Sequence, residues 1–368
     1  MPDSALDNRK IEIDRRGPSN RLGHDYALEA ERMPAPPCEI IDVHAHIGGP
    51  KSARLYARAA ALFGITRVYS MTQLEAVPEV KEALGDLVRF NAVPDWSNPD
   101  RKEAMGRDFL HRIERFREHG AGIVKLFAAP RMRDAEEKLG QPGALALDSP
   151  MYRDVAKLAS ELGMSIMTHV ADPDTWFAAK YTDQDKYGTK RDQYRPLERM
   201  LDEYDVPWIA AHMGGSPEDL GFLSGLLERH PNLHLDTSAC KWMLRELGAQ
   251  PTEDFRAFMD TWRGRILFGS DIVTMDDHLE ETAANELAMK ANGQQQAFDL
   301  YASRYWTLRR LFEQDGRFES PIVDPDLHMV DPERYPEDAA PEVTCHGLDR
   351  SLLKMIYRDA ARTFFKID

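Results

Sequence analysis

From Cys38 onward, short apolar runs alternate with longer amphipathic stretches. Runs at about 38–44, 66–71, 87–93, 122–127, 164–169, 207–212, 232–236 and 265–269 have the length and hydrophobicity of buried strands. Between them, segments such as 108–119, 151–162 and 220–230 space their apolar residues at helical intervals. Gly120, Gly163 and Gly264 fall just before strands, where a helix C-terminus needs a residue tolerant of positive φ. Strands alternating with helices predict a parallel sheet, and eight is the number that closes a (β/α)8 barrel; an open doubly wound α/β sheet is the alternative.

The rhythm is absent before Cys38 and is stretched in two places. Residues 1–37 carry much charge and the Pro-rich piece Met33-Pro34-Ala35-Pro36-Pro37, and read as an N-terminal arm. Residues 38–368 read as one barrel domain. Within it, a charged insertion at about 171–195 follows the fifth strand, and a long Pro- and Asp-rich loop spans about 314–348. The first leaves the face where barrel active sites lie and is expected to act as a substrate lid, with decorative surface insertion as the alternative.

Four strands end in groups that can bind a metal. Ile40-Ile41-Asp42-Val43-His44-Ala45-His46 places Asp42, His44 and His46 on one face, each about 6.6 Å from the next along the strand. Met164-Ser165-Ile166-Met167-Thr168-His169 ends in histidine, as does Trp208-Ile209-Ala210-Ala211-His212, while Ile266-Leu267-Phe268-Gly269-Ser270-Asp271 ends in a carboxylate. A single such histidine is more often a hydrogen-bonded core residue. Five metal-capable groups at strand ends, which meet at one face of a barrel, are hard to explain by packing.

Charge and cysteine usage narrow the partners. The 47 basic and 62 acidic residues give a net charge of −15, which disfavours phosphate backbones and anionic lipid surfaces, so neither nucleic acid nor membrane is expected as a partner. Cys38, Cys240 and Cys345 are scattered and form no disulfide framework. There is no secretory h-region and no apolar run of roughly 18–20 residues, so a cytoplasmic location is expected.

The order His-x-His, His, His, Asp resembles the amidohydrolase superfamily. Ile41-Asp42-Val43-His44-Ala45-His46, Ala211-His212-Met213-Gly214-Gly215 and Leu267-Phe268-Gly269-Ser270-Asp271 are similar to its amidohydrolase-related branch, which includes lactone hydrolases and aminocarboxymuconate-semialdehyde-type decarboxylases. Leu353-Lys354-Met355-Ile356-Tyr357-Arg358-Asp359 resembles the branch's closing helix, with Asp359 where asparagine is usual. The resemblance spans about residues 39–365. It is specific for fold and metal and poorly specific for reaction.

Carried over residue by residue, the resemblance implies His44, His46, His169 and Asp271 as metal ligands, and His212 as a catalytic histidine or a ligand of a second metal. Nitrogen and carboxylate donors suit zinc, with manganese as the alternative. Asp271 is the implied proton shuttle, and His212 would polarise the scissile carbonyl. Lys125 in Gly122-Ile123-Val124-Lys125 is read as a substrate-facing ammonium, a carboxylated lysine bridging two metals, or a structural ion pair. Arg131 and Arg133 are candidates for a substrate carboxylate, and Trp176 and Phe177 for an apolar part of the substrate. His234 and Asp236 read as polar filling of the barrel, and Gly214-Gly215 as a tight turn. The implied activity is metal-dependent hydrolysis of an amide, ester or lactone in a small molecule. Decarboxylation of an unsaturated or aromatic carboxylic acid, a carbon-carbon lyase reaction, is the first alternative, and a non-catalytic ligand-binding barrel is the second. Association into a homo-oligomer is expected.

Overall fold

A computed structural model describes residues 17–281 and 290–367; residues 1–16 of the expected arm lie outside the described residues. Strands β1 (Ile40–Ile47), β2 (Ile65–Ser70) and β3 (Val88–Phe90) pair in parallel. Strands β4 (Ile123–Phe127), β5 (Ser165–His169), β6 (Trp208–Ala210), β7 (Leu233–Asp236) and β8 (Ile266–Leu267) pair in parallel and in sequence order.

Backbone hydrogen bonds join these two arcs at both seams. Past the end of β3, Ala92 N–H donates to Ile123 O at 2.8 Å and Lys125 N–H donates to Ala92 O at 2.8 Å. Past the end of β8, Val43 N–H reaches Phe268 O at 2.9 Å and Asp271 N–H reaches His44 O at 2.8 Å. The eight strands therefore form a (β/α)8 barrel, and the strand interiors are almost wholly buried. A ninth strand, β9 (Ile272–Thr274), follows β8 at once and pairs with the second half of β1, Ala45 opposite Ile272.

Helices follow the strands and cover them, each turning an apolar stripe inward. Helix Pro150–Glu161 starts with Ser149 accepting from Tyr152 N–H and proline in its first turn. Gly120, Gly163 and Gly264 have φ of +79°, +66° and +84°, the left-handed conformation that ends a helix and releases the next strand. Among the described residues, no helix is long and apolar enough to cross a membrane.

Two segments outside the barrel meet above it. Residues 171–195 contain helices Asp174–Ala179 and Gln184–Tyr187. Residues 314–348 begin and end in the antiparallel pair β10 (Asp315–Glu319) and β11 (Glu342–His346). Trp176 Nε1 donates to Asp326 Oδ2 at 2.8 Å, and Arg245 pairs with Asp324 and, at 3.2 Å, with Asp326. Arg245 also donates to Thr175 Oγ1 at 3.1 Å, so one guanidinium ties both segments together.

Candidate metal centre

The C-terminal ends of β1 and β8 bring three donors together. The His44 and His46 rings lie 5.6 Å apart on one face of β1. Asp271, just past β8, adopts φ of +57° and is held there by its N–H bond to His44 O. This turns its carboxylate back over the strand end, with Oδ1 at 3.2 Å from His46 Nε2 and 3.5 Å from His44 Nε2. One donor atom from each of the three lies within 4.8 Å of the others. His44 Nε2 is buried and takes no hydrogen bond. A buried imidazole nitrogen without a partner costs free energy unless something else occupies its lone pair.

His169 at the end of β5 stands beside this group, its ring 4.9 Å from that of His212. Its Nε2 is 2.9 Å from Asp172 Oδ1, and Tyr181 OH donates to the other Asp172 oxygen at 2.6 Å. That bond commits Nε2 and leaves Nδ1 as the nitrogen available to the centre. No atom of His169 falls within the 4.8 Å grouping of His44, His46 and Asp271.

Asp236 and Ser238 organise two of the histidines, a role that the sequence reading of Asp236 as filling did not find. Asp236 Oδ2 is 2.8 Å from His44 Nδ1, which directs Nε2 inward. Asp236 Oδ1 accepts from His212 N–H at 2.8 Å, from Ser238 N–H at 3.1 Å and from the Ser238 hydroxyl. A second grouping of donors, His44, His212 and Asp236, is thus explained by hydrogen bonds within the protein. Ser238 Oγ is 2.7 Å from His212 Nδ1. With its proton given to Asp236, that hydroxyl accepts from Nδ1–H, and the inferred tautomer leaves the lone pair of His212 on Nε2.

The electrostatics follow from burial and these contacts. Burial, then the nearby Lys125 ammonium, depresses the His44 imidazole, and burial holds His212 well below its ordinary value, so both are neutral near pH 7. Burial works to raise Asp271, but the bond from His46 and the fields of the other imidazoles outweigh it and hold the carboxyl well below its usual range. Asp236 is likewise kept ionised, the contact with His44 overcoming desolvation. Lys125 on β4 is buried, its Nζ takes no hydrogen bond, and burial lowers it to about 8. No carboxylate pairs with it, so it is not part of a structural ion pair among the described residues.

His44, His46, His169, His212 and Asp271 all line one cavity of about 1080 Å³ at the barrel mouth, as do Lys125, Arg131 and Trp176. Arg131 lies over the Phe127 ring, 4.7 Å from its centroid. Arg133 pairs with Glu136 at 2.8 Å, and Phe177 packs against Tyr181. Trp242, which carries no spacing signal in the sequence, stands edge-on to His212 at 5.6 Å and to Trp176 at 5.6 Å. Gly214 and Gly215 have φ of +63° and +78° in a tight turn after β6.

A family model described as amidohydrolase matches residues 41–367. No curated protein matches the sequence. Among solved structures, an amidohydrolase from Burkholderia multivorans with bound HEPES is 11% identical, with 90% of this chain and 100% of that one covered and a TM-score of 0.45. An uncharacterized TIM-barrel protein from Bordetella bronchiseptica is 14% identical, covering 70% of this chain and 89% of its own at a TM-score of 0.41. A D-hydantoinase from Bacillus sp. AR9 is 13% identical, covering 83% and 82% at a TM-score of 0.41.

Proposed function

The chain belongs to the amidohydrolase family and is an enzyme of the amidohydrolase type, and from that premise we propose that it is metal-dependent and adds water across an amide, ester or lactone bond of a small organic molecule. The observation that carries this reading is the unpartnered, buried Nε2 of His44, facing His46 and the Asp271 carboxylate at the mouth of the cavity. An orphaned imidazole nitrogen beside a second imidazole and an ionised carboxylate fits a divalent cation. His44, His46, His169 through Nδ1, and Asp271 would hold it, and the nitrogen and oxygen donors favour zinc, then manganese. A cation there supplies Lewis acidity toward a carbonyl and acidifies water toward a pKa of about 7.

The chain's own groups handle the protons. Asp271, ionised at neutral pH, accepts the proton that attacking water loses at one carboxylate oxygen. It returns that proton to the oxygen or nitrogen that leaves when the carbonyl C–O or C–N bond breaks. His212 presents a bare Nε2, because Ser238 holds its Nδ1–H, so it is a second proton acceptor; polarising the carbonyl would require a proton on Nε2. Lys125 offers a buried ammonium without a hydrogen-bond partner to a carbonyl oxygen or carboxylate of the substrate. Trp176 and Trp242 supply an apolar wall that excludes water.

The purified protein is expected to contain about one divalent ion per chain and to lose hydrolysis on chelation. His44→Ala should lose both metal and turnover, whereas His212→Ala should keep the metal and lose roughly 10²–10⁴-fold in rate. Amides, esters and lactones would be assayed beside unsaturated carboxylic acids, with acid release and CO2 release read separately. CO2 release without hydrolysis would replace this reading with the decarboxylase, and full activity in metal-free protein would end it.

A further inference from the structure

The cavity has a second wall that the hydrolytic centre does not use. Lys241 lies in the first turn of the helix Cys240–Glu246 after β7, and Lys290 and Arg304 come from the chain after β9, Arg304 within helix Gln294–Glu313. All three line the cavity, as does Lys125 on β4.

Three cations gathered on one wall repel one another. Burial lowers the Lys241 ammonium, with Arg304 and Lys290 adding to that effect and the fields of Asp324 and Asp326 opposing it; Lys290, which is exposed, is lowered by desolvation and Arg304 against the opposing field of Asp271. The carboxylates nearest to them are already engaged. Asp324 and Asp326 are held by Arg245, and Asp271 by His46. Among the described residues, no carboxylate forms an ion pair with Lys241, Lys290 or Arg304. Arg304 is nonetheless oriented, because its Nη1 donates to Ser19 Oγ at 2.7 Å and to Ser303 Oγ at 2.9 Å. Hydroxyls aim a guanidinium without neutralising it, and the remaining guanidinium donors take no acceptor among the described residues. In a chain of net charge −15, this wall is locally positive, an arrangement that an anionic group would relieve.

We propose that Lys241, Lys290 and Arg304 form an anion-binding subsite, and that the substrate carries a carboxylate or phosphate group there while its scissile bond lies at His44 and Asp271. The subsite rests on the hydrolase reading for its place in the reaction, but binding of an anion to it can be measured without turnover.

Isothermal titration calorimetry of the full chain as purified would use glutarate, inorganic phosphate and the neutral glutaramide. Glutarate or phosphate should bind at least tenfold more tightly than glutaramide, and whichever is tighter names the group. Lys241→Met and Arg304→Gln should each weaken that binding at least tenfold with metal content unchanged, while the exposed Lys157→Gln should leave it as it was. Lys241→Met decides alone if Arg304→Gln, which loses the Ser19 contact, does not fold. Anion binding unaltered by Lys241→Met, or lost in Lys125→Met alone, overturns the proposal, as does equal affinity for the three probes. A metal-free, inactive chain that still binds an anion through Lys241 would remove the hydrolase reading and leave the subsite standing.

Discussion

Asp236 spends both carboxylate oxygens inside the barrel, one on His44 Nδ1 and the other on the His212 and Ser238 amides and the Ser238 hydroxyl. A carboxylate behind a metal-binding imidazole fixes the ring and makes its far nitrogen more basic. Asp236→Asn should therefore weaken metal binding by about 10–100-fold, read by competition with a chelator, while circular dichroism stays native. Unchanged affinity would mean that the His44 ring is held by packing alone. Lys125 makes the opposite kind of contribution. Its folded value of about 8 lies below the ordinary 10.5, so its deprotonated form favours the fold fully only above pH 10.5. That contribution fades as pH falls toward 8, and below 8 the fold carries the buried charge at a cost of about 3 kcal/mol. Lys125→Met is expected to raise stability at pH 7 by about 2–3 kcal/mol and to lose substrate turnover. Urea midpoints of wild type and variant at pH 7 and pH 10 check this, since the gain should shrink at the higher pH; a gain equal at both would sink it. The residues at strand ends were legible because a histidine or aspartate closing an apolar run is conspicuous. Asp236 was not, because its partner His44 lies in a strand far away in sequence and no spacing links them.

At the level of elements, the eight barrel strands were legible because strands buried on both faces write continuous apolar runs. Their ends were not. The run at 207–212 predicts a strand to His212, yet β6 stops at Ala210, and His212 and Met213 turn to φ of +60° and +51°. That turn, and the one at Asp271, is what swings the candidate site side chains toward the cavity; strain of this kind is stored where side chains must be aimed. Strand β9 escaped notice because three residues are too few to show alternation. The turn after β6 depends on Gly215, where an added Cβ would sit 2.0 Å from Ala171 O, at the start of the segment that follows β5. At Gly120, φ is +79° but nothing lies within 4 Å of an added Cβ. Gly120→Ala should then cost only the left-handed backbone term, about 1–2 kcal/mol, whereas Gly215→Ala should cost more than about 4 kcal/mol. Equal shifts in denaturant midpoint would show that the contact with Ala171 yields without consequence.

Across the whole molecule, a net charge of −15 contrasts with a locally cationic cavity wall, the contrast on which the proposed capture of a small anion rests. That cavity is bordered by a strap assembled from two segments 150 positions apart in sequence, Trp176 on helix Asp174–Ala179 and Asp326 on helix Pro325–Val330. Each segment was legible as an insertion too long for a barrel connection. Their meeting was not, since it rests on one indole N–H and one guanidinium. Arg245 is the hinge pin, bound to Asp324, Asp326, Glu246 and Thr175. Asp326→Ala removes the indole acceptor and one carboxylate of this cluster but leaves Arg245 paired with Asp324 and Glu246, so no buried charge is abandoned and the barrel should keep its stability. The strap itself should open more often. Losing a hydrogen bond to a charged acceptor is worth about 1.5–3 kcal/mol, so amide exchange in 174–179 and 325–330 should accelerate roughly tenfold or more while β1 and β5 stay protected. KM for a substrate covered by Trp176 should rise more than kcat falls, because the proton-handling groups at the strand ends do not move. If exchange in both segments matches wild type, the two insertions are held by their own folds, and the cavity is gated by something other than this strap.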